Sequence, residues 1–219
     1  MIAFMRERQK KRRKTRQQIR FTPYAWAKLI FLRDVGQTEV GGFGISNKFD
    51  PLLIEDFVLI KQLCTSVFVE FDDSSVADFF EQQVDDGRRP DEFARVWIHT
   101  HPGNCPLPSS TDEATFERCF GTADWAVMFI LSRSGATYAR LGFNVGPTTS
   151  KRLGVAVDYV NEFAQADHCE WLSEYDNAVQ LFDPFAGDRN VATADDREPG
   201  WPHRRAVEYR QPAGDWAVL

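Results

Sequence analysis

Apolar residues recur along the chain at two periods, one near two and one near 3.6, and the switches between them predict a mixed string of strands and helices. Ile19 to Thr22 reads as a short strand. Pro23 then suits the first turn of a helix whose apolar face carries Ala25, Trp26, Leu29, Ile30 and Leu32, and Gly36 ends it. Glu39 to Ser46 reads as a strand loosened by Gly41, Gly42 and Gly44, residues that often mark bulges or close backbone approach. Asn47 to Pro51 is turn-like, and Leu53 to Lys61 and Ser66 to Phe71 are two further strands rich in Val, Ile and Phe. Asp72 to Ser75 offers helix caps. Val76, Phe79, Phe80 and Val84 follow at helical spacing until Gly87 and Pro90 close the helix. Ala94 to His101 is a strand whose apolar residues Val96, Trp97 and Ile98 run together, as a buried position requires. A proline-rich loop, Pro102 to Pro108, leads to a helix from Ser110 to about Phe120. Trp125 to Ser132 and Ala136 to Phe143 form a hairpin around Ser134-Gly135. Leu153 to Val160 is a last strand, and Glu162 to Phe182 reads as a helix with Trp171, Tyr175, Val179 and Phe182 on one stripe.

Composition makes a sizeable core affordable: of 219 residues, 43% are hydrophobic and 13% aromatic. The longest purely apolar run, Trp125 to Leu131, is far too short to cross a bilayer, so no membrane partner is expected. No secretory signal is visible, and the four cysteines contain no C-x-x-C pair; reduced thiols in a cytoplasm are the expectation. Charge is split along the chain. Residues 1–20 hold nine Lys/Arg against one acid, Glu7, whereas the whole chain carries −6. Residues 1–18 therefore read as a basic, flexible arm, either a docking element for nucleic acid or an acidic protein, or simply a solvated extension. The acidic remainder argues against DNA binding by the folded body. Residues 183–219 hold four of the eleven prolines, with Trp201 and Trp216 and little periodicity, and are expected to be an irregular or disordered tail. Between them lie a core domain over 19–166 and a C-terminal helix over 167–182 packed on or near it.

The candidate chemistry sits in Trp97-Ile98-His99-Thr100-His101-Pro102 and Pro108-Ser109-Ser110-Thr111-Asp112. The chain has only four histidines, and two of them stand at i and i+2 on a strand, facing the same side at its end. Asp112 follows in the first turn of the next helix. Two imidazoles and a carboxylate make a common catalytic zinc set with a fourth position left to water. Ser109, at the mouth of the same helix, can donate to an oxyanion. Glu39, an acid in an apolar, glycine-rich strand, is the best general base. Each feature alone has a plainer reading: an exposed His-x-His, a helix start made by Ser109, Ser110 and Asp112 with a Ser110/Glu113 capping box, and a strand-edge charge at Glu39. Cys105 lies in the loop between the ligands, where its thiol either reaches the metal or simply packs.

Taken together, His99-x-His101-x7-Ser109-x2-Asp112 with Glu39 upstream resembles the JAMM (MPN+) metalloprotease signature in ligand identity and spacing. The resemblance runs from about Ile19 to Ala166. It implies an α/β (α+β) fold, a curved mixed β-sheet flanked by helices with a JAMM/MPN-like, cytidine-deaminase-like core. It implies that His99, His101 and Asp112 bind one catalytic zinc, that Glu39 takes a proton from the water zinc activates, and that Ser109 helps hold the oxyanion. The family includes deubiquitinases and prokaryotic enzymes that process ubiquitin-like proteins. The implied activity is that of a zinc isopeptidase or processing protease acting after the C-terminal tail of a ubiquitin-like protein, held as an added strand beside the site. His168-Cys169 and His203 lack the spacing of a second zinc site, which points to a minimal, prokaryote-like enzyme. Two alternatives stay open: a hydrolase releasing an amino acid or small amine from a ubiquitin-fold sulfur carrier, and a non-catalytic interaction module docking through its basic arm.

Overall fold

The computed structural model describes residues 17–182. The expectations for the basic arm as far as residue 16, and for the tail from residue 183 with Trp201 and Trp216, lie outside the described residues. In chain order the elements are β1 (Gln18–Phe21), α1 (Pro23–Val35), β2 (Gly41–Asn47), β3 (Asp50–Leu59), β4 (Gln62–Cys64), β5 (Val69–Phe71), α2 (Asp73–Asp85), α3 (Pro90–Phe93), β6 (Val96–His101), α4 (Ser110–Phe120), β7 (Trp125–Ser132), β8 (Thr137–Phe143), β9 (Thr149–Arg152), β10 (Gly154–Val157), α5 (His168–Ala178) and β11 (Val179–Leu181).

Eight strands form one mixed sheet in the order β10-β1-β3-β2-β6-β7-β8-β9, and β11-β4-β5 form a small second sheet. The edge strands β9 and β10 are consecutive in sequence and separated only by Leu153, so the large sheet must curl until its two edges meet. Leu153 is the corner: its N–H donates to Ala139 on β8, while the N–H of Gly154 donates to Gln17 beside β1. One face of this curved sheet packs on α1 and α5 through Phe21, Leu29, Ile98, Phe129 and Trp171. The other face packs on α2 and α4 through Phe43, Val76, Trp97, Phe120 and Met128. Each such side chain contributes about 1.5–3 kcal/mol when fully buried. The side-chain alternation of β6 decides which chemistry faces which layer: Val96 and Ile98 meet α1, while Trp97, His99 and His101 turn to the α4 side.

Local signals account for the element ends. Thr22 caps α1 by accepting from the N–H of Ala25, with Pro23 in the first turn. Asp72 caps α2, and Gly87, at a φ of 81°, closes it. Gly135, at 83°, turns the β7–β8 hairpin. Gly42 meets a different demand, because a Cβ there would collide with the Val58 carbonyl oxygen of β3.

Several sequence expectations are corrected. The helix expected over Glu162 to Phe182 is shorter: Asp167 accepts from the N–H groups of Cys169 and Glu170 and starts α5, and at Val179 the chain leaves the helix to pair with β4 as β11. The strand expected from Ser66 begins at Val69, because Thr65 Oγ1 accepts from Val67 and Phe68 in a tight turn. The last strand ends at Val157 rather than Val160, and β4, β9, β11 and α3 were not foreseen. Val84 is 54% exposed rather than on the buried face of α2, where Gln83 lies instead. Glu39 stands just ahead of β2 rather than inside it.

Candidate metal centre

The register of β2 against β6 builds the site. These strands run antiparallel with Gly41 opposite His99 and Phe43 opposite Trp97. Continuing that register sets Glu39 across from His101 on the same face. Thr100, between the two histidines, fastens the extension: its N–H donates to the Val40 carbonyl at 2.9 Å, and its Oγ1 accepts from the Val40 N–H at 3.1 Å. Glu39 Oε1 then lies 3.9 Å from His101 Nε2.

Asp112 arrives from α4. Ser109 is its N-cap, and the pair makes a reciprocal capping box. The Asp112 N–H donates to Ser109 Oγ, while Ser109 N–H and Oγ–H both donate to Asp112 Oδ2 at 2.6 and 2.8 Å. The box therefore joins Ser109 to Asp112, not Ser110 to Glu113. Glu113 instead receives Arg140 from β8 with both nitrogens, which holds the first turn of α4 against the sheet. The helix-cap reading of Ser109 and the site reading are thus compatible, since the cap itself aims the carboxylate at the histidines.

One donor atom from each of His99, His101 and Asp112 falls within 4.8 Å of the others. His99 Nε2 lies 3.3 Å from Asp112 Oδ1, and His101 Nε2 lies 3.5 Å from Asp112 Oδ2. Ligands about 2.0–2.1 Å from a tetrahedral zinc stand roughly 3.3 Å apart; each imidazole is near this spacing from Asp112, through a different carboxylate oxygen. The burial of His99 is the more telling observation. The residue is 1% exposed, and neither ring nitrogen has a hydrogen-bond partner, with Asp112 Oδ1 3.3 Å from Nε2. A buried polar ring left unpaired costs free energy unless something else satisfies it. Trp97 packs over the same ring with centroids 4.3 Å apart and fixes its plane. His101 Nδ1 is 2.9 Å from the Cys105 carbonyl oxygen, which can only accept; Nδ1 therefore carries a proton, and in the neutral form of the ring the bare nitrogen is Nε2, which faces the cluster. Cys105 contributes this carbonyl, and its thiol is not among the clustered groups.

The charges are mutually poised. Burial pushes the Glu39 carboxyl up to about 7; His101 opposes this and Asp112 adds to it. Burial also acts to raise Asp112, but the imidazoles of His101 and His99 and the Ser109 N–H win and hold it well below the usual carboxylate range. Burial lowers His99. His101 is raised, burial being outweighed by Asp112, the Cys105 carbonyl and Glu39. Asp112 thus stays ionised, as a ligand must, while Glu39 beside it takes up a proton near neutrality.

All five residues singled out in the sequence are brought to one place. The supports of the site were missed: Thr100, the Cys105 carbonyl, Arg140 with Glu113, and the β7–β8 turn, where the Arg133 N–H donates to the carbonyls of both His101 and Gly103. Only Thr100, a β-branched polar residue between the histidines, left a signal in the sequence. No protein-family model matches the chain, and no curated protein matches it.

Proposed function

We propose that this protein is a zinc-dependent hydrolase that cleaves the peptide or isopeptide bond following the C-terminal tail of a ubiquitin-like protein, with a JAMM/MPN-like core. The observation that carries the reading is the convergence of the orphaned His99 ring, the bare Nε2 of His101 and the anchored carboxylate of Asp112 on one point, with Glu39 opposite. His99, His101 and Asp112 would hold the ion. Bound zinc supplies Lewis acidity, lowering the pKa of water toward about 7 and polarising a carbonyl.

The remaining work falls to this chain. Glu39, whose proton affinity burial has raised to near neutrality, accepts a proton from the attacking water and returns it to the leaving amine. The Cys105 carbonyl holds His101 in the tautomer that keeps Nε2 free. Ser109 Oγ turns its proton from Asp112 Oδ2 to the substrate carbonyl oxygen as negative charge builds there. No cysteine nucleophile takes part.

The test is a panel of ubiquitin-like proteins extended beyond their C-terminal Gly-Gly by a peptide, by a lysine-linked peptide or by a single amino acid, read by mass spectrometry. Cleavage by the wild-type protein that Glu39→Gln abolishes supports the reading. A zinc-loaded wild type that cleaves none of them contradicts it. Release of only the single amino acid, from a sulfur-carrier member of the panel, moves the substrate to that class.

A further inference from the structure

The Glu39 side chain, like the His99 ring, is held by no hydrogen bond among the described residues; its nearest ionisable partner is His101, at 3.9 Å. Its position must come from its backbone. On one side that backbone is fastened to β6 through Thr100. On the other side β3 has already left: its last pair with β2 is Gly42 with Leu59, and Ile60 and Lys61 carry the chain away into the second sheet. Gly41, which should meet the next residue of β3, would lose its partner on that flank.

The side chain of Gln62 fills the gap. Gln62 is 3% exposed, and its main chain pairs with β5 and β11. Its amide reaches back to β2. Nε2 donates to the Gly41 carbonyl at 2.7 Å and to the Ile60 carbonyl at 2.6 Å, and Oε1 accepts from the Gly41 N–H at 2.8 Å and from Cys64 Sγ at 3.3 Å. Two donors and two acceptor positions are all a primary amide has, so every one is filled and the orientation of the group is fixed. Opposite the peptide of Gly41, the amide does what a strand residue would do. From the same strand the chain continues to Thr65, whose carbonyl accepts from the Glu39 N–H at 2.9 Å. A Cβ on Gly41 would press on Val69 and Phe71 of β5, so the small sheet also packs directly against this backbone.

We infer that Gln62 is a positioning residue for Glu39: its amide stands in for the missing strand at Gly41, and through it the small sheet β11-β4-β5 sets where the general base sits. The inference rests on the hydrolase reading above for the role of Glu39. The ligands themselves stand on β6 and α4, whereas the Gln62 amide bonds to Gly41, Ile60 and Cys64. Removing the amide therefore loosens the base and leaves the metal set intact. A displacement on the order of 1 Å in a reacting group can cost about a hundredfold in rate.

The test uses the full-length protein as wild type, Gln62→Met, which keeps the chain length and deletes the amide, and Gln62→Glu, which keeps an acceptor for Gly41 and deletes both donors. Val76→Ala, in the core under α2, serves as a control of comparable instability. Three quantities are read: zinc content, amide hydrogen exchange at Gly41, and hydrolysis of a Gly-Gly aminocoumarin peptide amide. Both Gln62 variants should keep about one zinc per chain. Gln62→Met should exchange the Gly41 amide at least about tenfold faster and lose about ten- to a hundredfold in kcat with KM nearly unchanged. Gln62→Glu, which keeps the acceptor of the Gly41 N–H, should exchange that amide slowly and lose less in kcat. Val76→Ala should keep its kcat. Unchanged Gly41 exchange in folded Gln62→Met would overturn the clamp whether or not the protein is active. Faster exchange with a wild-type kcat would overturn the link to Glu39 while leaving the hydrolase reading standing. A wild type that holds no zinc would overturn that reading, and this inference with it.

Discussion

Glu39 carries the most unusual chemistry of any residue here. It is a carboxylate 6% exposed, facing a histidine and a second carboxylate. Its replacement by Gln should preserve zinc content while lowering kcat by on the order of a hundred- to ten-thousandfold, the usual contribution of a general base; steady-state hydrolysis beside a metal assay would show this. The same burial has a thermodynamic consequence in metal-free protein. A carboxyl with its folded pKa raised from 4.5 to about 7 binds more protons folded than unfolded between those values. Stability then falls as pH rises through that window and levels off above it. The raised His101 acts in the same direction; the depressed Asp112 acts in the opposite one at lower pH, and His99, which burial lowers from 6.5, also opposes the decline in the lower part of the window. The urea-unfolding stability of chelator-stripped wild type minus that of Glu39→Gln isolates the Glu39 share and should decline across the window by at most about 3 kcal/mol. A difference that rises with pH across the window would contradict the assignment. At this scale the sequence was most legible, because His99, His101, Ser109 and Asp112 lie within one strand–loop–helix passage whose spacing constrains their geometry. Glu39 required a strand pairing that spacing alone does not give.

At the scale of elements, the site depends on two placements, the β2–β6 register and the capped start of α4. Gly42→Ala should strain the β2–β3 pairing that backs the first, since its Cβ meets the Val58 carbonyl oxygen of β3 and backbone cannot swing aside as a flexible side chain can. A loss of about 3 kcal/mol, at the upper end of overpacking, is expected in denaturant unfolding; a neutral Gly42→Ala would show that β2 and β3 can separate without cost. The glycines of β2 were legible as close-approach signals, and the hairpin at Gly135 and the cap at Asp72 as local turn chemistry. The elements that went unread share a physical cause. β4 and β11 have three residues each, too short for any periodicity, and pair with each other across more than a hundred residues of chain. The 162–182 stretch has a helical stripe throughout, but Asp167 caps it late, and Val179 finds a strand partner that no local propensity announces.

The whole molecule joins these parts by curling one sheet until its edges meet at Leu153, with α1 and α5 on one face and α2 and α4 on the other. The expected mixed, curved sheet flanked by helices is the architecture found. No described helix is long and apolar enough to cross a membrane. Edge closure was not legible, because it depends on β9 and β10 pairing with strands more than a hundred residues away in one case and adjacent in the other. The metal set spans β6 and α4, so ion binding should stabilise the whole domain. Zinc at a hundred times its Kd adds about 2.7 kcal/mol, and a chelator should lower the Tm of wild type but not of His101→Ala. The most direct measurement is the metal content of wild type and His101→Ala, each purified without added metal and weighed by mass spectrometry against protein concentration. About one zinc per chain in the wild type and almost none in a folded His101→Ala is the result the site predicts. A well-folded wild type that holds no zinc, even after zinc is offered, would contradict it.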